Sequence, residues 1–171
     1  MPMSTFVPIK PEDIRDNVFK LIGSDWMLIT AGTRGFFNMM TASWGGMGVL
    51  WNKNIAICFI RPQRYTYDFM ERSECFTLSF FGEAYREALN LCGSKSGRQV
   101  DKARAAGLTP VVAETGAVYF AEARLVLECR KIYFQDIDPT HFLDASIHKN
   151  YPSRDYHRMY LGEIIHCLAK T

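Results

Sequence analysis

The chain has 171 residues, of which 48% are hydrophobic and 22% are charged, and its formal net charge is +2. This composition predicts one globular domain over residues 1–171 and argues against a disordered chain. Basic and acidic residues are interspersed, so we expect neither nucleic acid nor a membrane surface as a partner. The five cysteines lack CxxC spacing and the four histidines lack metal-ligand spacing. We therefore expect reduced thiols and no metal site.

The N-terminal segment carries no sign of a targeting sequence. It lacks the apolar core of a signal peptide, and no window of the chain reaches the roughly 18 apolar residues of a membrane span. We therefore expect a cytoplasmic protein. Residues 1–12 form a proline-containing arm, and a short helix from Glu12 to about Lys20 is predicted to start at Pro11.

Two apolar segments joined by a short polar connection begin the predicted sheet. Trp26–Thr30 and Asn38–Trp44 have strand composition, and Ala31–Gly35 between them predicts an antiparallel hairpin. The glycines of the GGMG segment at 45–48 predict a turn, because glycine adopts backbone conformations that other residues avoid. The continuous apolar run Ile55–Ile60 then predicts a strand that is covered on both faces.

The second half of the chain alternates between helical and strand patterns. The predicted elements are a short helix over Thr66–Arg72, a strand over Cys75–Phe81, helices over Glu83–Cys92 and Gly97–Ala106, a strand over Ala117–Gln135, a short helix over Pro139–Ser146, a loop over Tyr151–Tyr156 and a strand over His157–Ala169. Ser96 and Gln99 have capping-box spacing, and Gly107 stands where a helix-ending glycine is expected. The apolar phase slips by one residue at Lys131, which predicts a β-bulge, and Gly162 marks a bend. These elements predict a mainly β barrel with inserted helices.

A basic turn follows the apolar strand that ends at Ile60. Arg61, Arg64 and Thr66 bring two guanidiniums and a hydroxyl close together in sequence. A solvated surface is the common reading of such a turn. The alternative is a phosphate site, because arginine recognises phosphate with a planar fork of donors. If the neighbouring strands pair, the small polar end of the Asn38–Trp44 strand lines the same cleft.

Four segments carry a family resemblance: NMMTASW at 38–44, RPQRYTYDFM at 61–70, FTLSFF at 76–81 and GSKSGRQVDK at 93–102. In this order and spacing, the first three resemble the flavin reductase family, and the fourth resembles its flavoredoxin-like branch. The resemblance extends from about residue 21 to residue 168. It implies a Greek-key split barrel that binds FMN.

The resemblance also implies which residues contact the flavin. Asn38, Thr41, Ala42, Ser43 and Trp44 would lie along the ribityl chain and the ring. The remaining implied contacts are Arg61, Arg64, Tyr65 and Thr66 at the phosphate, Ser79 and Phe80 near the ring, and Lys95 and Lys102 beside the flavin. Core packing is the alternative for Phe80, and a solvated helix face is the alternative for the segment around Lys102.

The segment Asp155-Tyr156-His157 is similar to the family's G-D-H segment before its last strand. It departs from that pattern with Arg154 where glycine is usual and with Tyr156 inserted between the acid and the histidine. His157 is therefore our one candidate for a catalytic, substrate-facing role, and a structural role is the alternative.

Two functions follow from the resemblance, because FMN itself performs hydride acceptance. The first is an NAD(P)H-dependent flavin reductase that passes hydride through FMN to a flavin or another acceptor. The second is a non-enzymatic electron carrier of the flavoredoxin type, with a redox protein as its electron donor. The chain lacks the G-x-S-x-G and H-E-x-x-H signatures of hydrolases. In either case we expect a homodimer, because family members are usually two-fold dimers whose flavins contact both subunits.

Overall fold

The computed structural model of the protein describes residues 5–171 and consists mainly of one curved antiparallel sheet. Its strands are β1 (Phe6–Ile9), β2 (Met27–Thr33), β3 (Phe36–Ala42), β4 (Gly45–Leu50), β5 (Lys53–Ile60), β6 (Cys75–Phe80), β7 (Pro110–Val112), β8 (Val118–Phe120), β9 (Leu125–Asp136) and β10 (Arg158–Lys170). Its α-helices are α1 (Val18–Gly23), α2 (Tyr65–Arg72), α3 (Arg86–Ser94) and α4 (Lys102–Ala105). Eight strands form the sheet in the order β3-β2-β6-β9-β10-β5-β4, with β1 added beside β10, and β7 pairs with β8. The predicted mainly β barrel with inserted helices is confirmed.

The sheet buries side chains on both of its faces. Ile29, Leu78 and Tyr160 lie in one cluster with Phe80, inside the barrel. Side chains of the opposite phase, such as Leu28, pack outward against α3, α4 and β8 in a second cluster. Alternation along each strand produces this division, because successive side chains point to opposite faces. Burial of each large apolar side chain contributes about 1.5–3 kcal/mol, so both clusters stabilise the barrel and the layer that covers it.

The predicted bulge lies where β9 and β10 bend around the barrel. Leu161 pairs with Tyr133 and Gly162 pairs with Lys131, so Ile132 has no partner of its own in this pairing. A Cβ atom at Gly162 would lie 2.6 Å from both Cys129 Cβ and Phe76 Cζ. Glycine is therefore required at the bend by close packing, and both sequence predictions for this region are confirmed.

The GGMG segment is a strand, and its prediction as a turn was wrong. It forms part of β4, where Gly45 pairs with Cys58 of β5. The chain reverses after β4 at Trp51 and Asn52, whose φ angles are 53° and 57°. Two consecutive left-handed residues close a two-residue hairpin. A Cβ at Gly45 would lie 2.6 Å from the Ile57 carbonyl oxygen, so this glycine serves close strand contact and does not form a turn.

Several predicted helices are shorter than their sequence patterns indicated. The stretch over Glu12–Lys20 is divided between a 3-10 turn at Pro11–Asp13 and α1, whose cap Asn17 accepts a hydrogen bond from the Lys20 amide. The stretch over Gly97–Ala106 is helical only in α4, because the cap is Asp101 and not Ser96. Gly107 follows this helix at φ 66°, as predicted.

The remaining differences are local. The 3-10 turns Glu83–Tyr85, Pro139–His141 and Ala145–Asn150 replace parts of predicted helices. The stretch over Ala117–Gln135 is divided between β8 and β9, and β1 lies within the predicted N-terminal arm, paired with β10. Between residues 5 and 171, no helix is long and apolar enough to cross a membrane.

Candidate functional site

Strand β3, the start of α2 and the loop after α3 meet at one side of the barrel. Asn38 of β3 donates a hydrogen bond from Nδ2 to Thr66 Oγ1 of α2 over 2.8 Å, and both side chains are buried. Thr41, farther along β3, donates to the Leu89 carbonyl oxygen of α3 over 2.6 Å. These two bonds fix both helices against the same strand, so the polar residues of NMMTASW and of the basic turn are neighbours in space.

The last turn of α3, with Gly93, and the loop that follows it, with Gly97, lie directly on β3. A Cβ at Gly97 would overlap the Asn38 amide group and approach the Tyr65 ring to 3.2 Å, and one at Gly93 would lie 3.2 Å from Thr41 Cβ. Only glycine permits so close an approach at position 97. The glycine spacing in GSKSG therefore has a structural cause, since it lets the loop cover the end of the predicted flavin-binding strand.

A cleft of about 520 Å³ opens between β3, α2 and this loop. Three of the predicted site residues, Asn38, Tyr65 and Lys102, line it together with Gly97. Its apolar lining includes Phe36, Phe37, Met39, Phe69, Val100 and Leu108. The Tyr65 ring is held by the Arg98 guanidinium, 4.5 Å from its centroid. The volume falls within the range of about 300–1,000 Å³ that is usual for small-molecule sites.

Two cations beside this cleft have only neutral partners. Arg64 donates from Nη2 to the Gly93 carbonyl, and Lys102 donates from Nζ to the Cys92 carbonyl, each over 3.0 Å. Neither forms an ion pair with a carboxylate of residues 5–171. Lys102 is only 4% exposed. Burial lowers its pKa to about 8, and Arg64 contributes to that lowering.

These contacts also have a structural explanation. Cys92 and Gly93 lie in the last turn of α3, where carbonyl oxygens lack helical partners and cations are favourable. Lys102 and Arg64 therefore stabilise the end of α3. The Arg64 guanidinium carries five N–H donors, and one of them accounts for the bond to Gly93. Burial lowers the pKa of Arg64, and Arg61 lowers it further.

The two arginines of the basic turn point in different directions. Arg61 donates to Asp155 Oδ2 and to the Asn150 carbonyl, each over 2.8 Å, and its guanidinium lies 4.9 Å from the centroid of Tyr151. The hydrogen bond from Arg61 lowers the pKa of Asp155. Asp155 Oδ1 is buried and has no hydrogen-bond partner in the described chain. Arg61 thus holds the C-terminal loop against the barrel, while Arg64 contacts the last turn of α3.

His157 lies beneath that C-terminal loop and packs beside the connection between β3 and β4. Its Nδ1 is 2.7 Å from Tyr151 Oη, and its ring centroid is 5.3 Å from that of Trp44. Burial lowers the pKa of His157 to about 4, with a further contribution from Arg61. The imidazole is therefore neutral at pH 7. Trp44 itself is 47% exposed at the connection between β3 and β4.

The other predicted residues take three kinds of position. Ala42 and Ser43 are half-buried at the end of β3, next to Trp44. Lys95 is exposed on the loop after α3. Ser79 and Phe80 are fully buried, Phe80 inside the barrel, and neither lines the cleft.

Sequence reasoning missed Tyr151 and Arg98. Tyr151 stood in a stretch predicted only as a polar loop, and Arg98 was assigned to a solvated helix face. No spacing signal marks their partners, which lie 6 residues away for Tyr151 and 30 residues away for the Arg98–Asp68 pair. Within residues 5–171, no group of three or more His, Cys, Asp or Glu side chains is arranged to hold a metal ion.

Comparison with solved structures reveals several with the same fold. The FMN-binding domain of a flavin reductases-like enzyme from Shewanella baltica OS155 is 17% identical, with a TM-score of 0.72 over 99% of this chain and 79% of that one. Flavoredoxin of Desulfovibrio vulgaris (Miyazaki F) is 23% identical, with a TM-score of 0.67 over 94% and 76%. The NADH:FAD oxidoreductase of Streptomyces globisporus C-1027, in complex with NAD and FAD fragments, is 18% identical, with a TM-score of 0.63 over 86% and 77%.

Comparison at the level of sequence gives the family. No curated protein matches the chain. The family model described as the flavin reductase like domain matches residues 19–170, which include every residue named in the site above. The chain therefore belongs to the flavin reductase-like domain family.

Proposed function

We propose that the chain binds FMN in the cleft between β3, α2 and the loop after α3, and that it is an NAD(P)H-dependent flavin reductase. The observation that carries the proposal is the pair Arg64 and Lys102. Lys102 is buried, Arg64 is half-buried, and neither has a carboxylate partner in residues 5–171. Desolvated cations of like charge are unfavourable unless an anion joins them. A phosphate group, with its charge of about −2 at neutral pH, is such an anion.

The donor set fits the phosphate of FMN. Arg64 offers its remaining N–H groups, and the first turn of α2 offers backbone N–H groups, because the Arg64 cap supplies no side-chain acceptor to them. Helix N-termini favour anions for this reason. Asn38, Thr41, Ala42, Ser43 and Trp44 follow one another along the strand that leads away from this point, where the ribityl chain and ring of FMN would lie. Tyr65 and Thr66 complete the phosphate end, and Lys95 remains an exposed candidate beside it.

When bound, FMN supplies the hydride-accepting chemistry. The chain's residues bind and orient it and exclude water from it. Trp44 and His157 lie together at the connection between β3 and β4, and we propose that His157 faces the nicotinamide or the acceptor there. Its neutral imidazole donates or accepts a hydrogen bond at pH 7 without adding a charge. Arg61 acts indirectly in this proposal, through the loop that it holds.

We propose a two-fold homodimer whose contact surface is the uncovered face of β4, β5 and β10. Ile57 and Phe59 alternate with residues of the barrel interior, so they face outward. Leu50 and Trp51, in the adjoining hairpin, are 40% and 57% exposed. Apolar surface of this kind commonly marks association. Trp44 stands at the edge of this face, so the partner subunit would complete the flavin site.

The physiological donor is, in this proposal, NADH or NADPH in the cytoplasm. The five unpaired thiols are compatible with a reducing compartment.

The alternative to the reductase is a flavoredoxin-type electron carrier. It is favoured by the GSKSG loop, which packs against Asn38 and covers one side of the cleft.

Anaerobic addition of NADH or NADPH to the FMN-loaded protein separates the two functions. Rapid loss of the visible absorption of oxidised flavin is expected for the reductase. If neither nucleotide bleaches the flavin and a reduced redox protein does, the chain is a carrier. FMN binding itself is tested with Lys102→Met. Lys95→Met is its matched control, because both lysines belong to one motif and only Lys102 is buried. Loss of FMN binding in Lys102→Met alone would support the cleft.

A further inference from the structure

Tyr151 and His157 form a buried pair beside the proposed flavin site. The two residues are 6% and 8% exposed, and Tyr151 Oη lies 2.7 Å from His157 Nδ1. The pair is enclosed by aromatic and charged neighbours. Arg61 lies against the Tyr151 ring at 4.9 Å, and Trp44 lies 5.3 Å from the imidazole. Both side chains are therefore held in place from several directions.

Donor counting decides which atom carries the proton of this hydrogen bond. Within residues 5–171, His157 Nδ1 is the only hydrogen-bond acceptor found for the Tyr151 hydroxyl. A phenol proton left without an acceptor in a buried site is unfavourable. The hydroxyl therefore donates, and Nδ1 accepts through its lone pair. A neutral imidazole that accepts at Nδ1 carries its single proton on Nε2.

We infer that Tyr151 is a positioning residue, which fixes His157 as the Nε2–H tautomer so that it presents a neutral hydrogen-bond donor to a carbonyl acceptor of the flavin or of the nicotinamide carboxamide. This inference rests on the proposed function for the identity of the ligand. The tautomer itself follows from the chain alone. No protein acceptor for His157 Nε2–H is found in residues 5–171, so that proton is free for a ligand.

The surrounding charges keep both partners neutral. Burial raises the pKa of Tyr151, and burial together with Arg61 and Arg64 lowers that of His157, while Asp155 opposes this lowering. Tyr156 is the other titratable neighbour, with its ring centroid 4.9 Å from that of Tyr151. To become charged, His157 must also gain a proton on Nδ1, where Tyr151 already donates. The pair thus resists conversion of the imidazole into a general acid.

Nitrogen NMR on ¹⁵N-labelled protein without flavin tests the tautomer directly. His157→Gln identifies the His157 signals, since the other three histidines are exposed. In the wild type we expect Nδ1 to resonate as an unprotonated nitrogen and Nε2 as a protonated one. Tyr151→Phe removes the donor, so the tautomer ratio should move toward Nδ1–H by about fivefold, the effect of one neutral hydrogen bond. Tyr156→Phe, the same change in the same loop, should leave the ratio unaltered.

A wild-type His157 protonated on Nδ1 would overturn the inference, and so would an unchanged ratio in Tyr151→Phe. If Tyr151→Phe does not fold, the wild type decides alone, through its tautomer and through scalar coupling between the Tyr151 hydroxyl proton and Nδ1. These measurements need no FMN, so a failure of the flavin proposal leaves them interpretable. In the FMN-loaded enzyme, Tyr151→Phe should lower kcat, because a larger fraction of His157 then lacks the proton on Nε2. An unchanged kcat would contradict the positioning role.

Discussion

Replacement of Lys102 by methionine is the sharpest test of the anion site. Lys102 is almost fully buried, and its pKa is lowered from 10.5 to about 8. A tenfold change in proton affinity corresponds to about 1.4 kcal/mol. The charged ammonium therefore destabilises the flavin-free folded state by about 3 kcal/mol. Methionine keeps the length of the side chain without the charge. After loss of the charge-assisted bond to Cys92, worth about 1.5–3 kcal/mol, the variant should gain up to about 1.5 kcal/mol at pH 7.

The lowered pKa of Lys102 also predicts the direction in which stability changes with pH. The folded-state pKa of Lys102 lies below its unfolded value, so the folded protein releases this proton more readily than the unfolded chain. The free energy of unfolding should therefore rise as the pH increases from about 8 to about 10.5, relative to Lys102→Met. Urea unfolding of both flavin-free proteins at pH 7 and pH 10 measures how the free energy of unfolding changes with pH in each. Groups other than Lys102 titrate in both proteins, so their contributions cancel when the two changes are subtracted.

Bound FMN should favour the charged form of Lys102, which is unfavourable in the flavin-free protein. The phosphate, with its second pKa near 6, stays doubly charged above pH 8. It should raise the pKa of Lys102, so binding takes up a proton wherever the free protein has lost it. The FMN affinity of the wild type should fall above pH 8, by up to about tenfold for each pH unit, and that of Lys102→Met should not. Fluorescence titration of FMN at a series of pH values gives both curves.

The reasoning would be refuted by one combined result. If Lys102→Met lost stability without flavin and bound FMN with wild-type affinity and pH dependence, Lys102 would serve only the end of α3. Lys95→Met controls for the general effect of charge on the loop, because Lys95 is exposed. It should change neither the unfolding free energy nor the pH dependence of binding by a comparable amount.

Three further predictions concern the same site and the proposed dimer. Arg64→Ala should weaken FMN by about 1.5–3 kcal/mol, one to two decades in affinity, and hardly affect riboflavin; equal losses for both ligands would assign Arg64 to the fold. Ser43→Asp should abolish FMN binding in a protein with a wild-type circular dichroism spectrum, because it places a negative charge beside an anionic ligand; copurification with stoichiometric FMN would remove Ser43 from the site. Ile57→Lys should convert a wild-type dimer into monomers in sedimentation at micromolar concentration; a wild type that is monomeric at every concentration with FMN bound would contradict the dimer and the shared site.

The barrel was predictable because apolar and polar residues alternate along its strands, and this alternation is visible in the sequence of each strand by itself. The phase slip at Lys131 is visible for the same reason, since Ile132 adds one residue to the alternation of β9. The glycines of β4 misled the prediction, because a glycine run fits both a turn and a strand that must approach its neighbour closely. Only the contact between Gly45 and the Ile57 carbonyl separates these cases, and that contact depends on tertiary structure.

The sequence predicted which segments meet at the site, but it did not predict which side chains contact each other there. The family resemblance assigned both Asn38 and Thr66 to the flavin, and the structure joins them by a hydrogen bond. Arg61 and Arg64 were grouped because they are three residues apart, but Arg61 contacts the C-terminal loop and Arg64 contacts the last turn of α3. Sequence spacing fixes which backbone turn carries two arginines. The direction of each side chain is fixed by the carbonyl or carboxylate that distant segments bring to it.

The split in the barrel lies between its two edge strands, and these strands are consecutive in the chain. β3 and β4 are the end strands of the sheet order, and only Ser43 and Trp44 separate Ala42 from Gly45. Three peptide units span at most about 11 Å, so this end of the seam stays tethered while the far end has no such restraint. Any widening of the seam must pivot at Ser43 and Trp44. If the flavin ring lies at Trp44 as proposed, the hinge motion that widens the barrel would also expose the ring. Amide hydrogen exchange should report this motion first along β3 and β4.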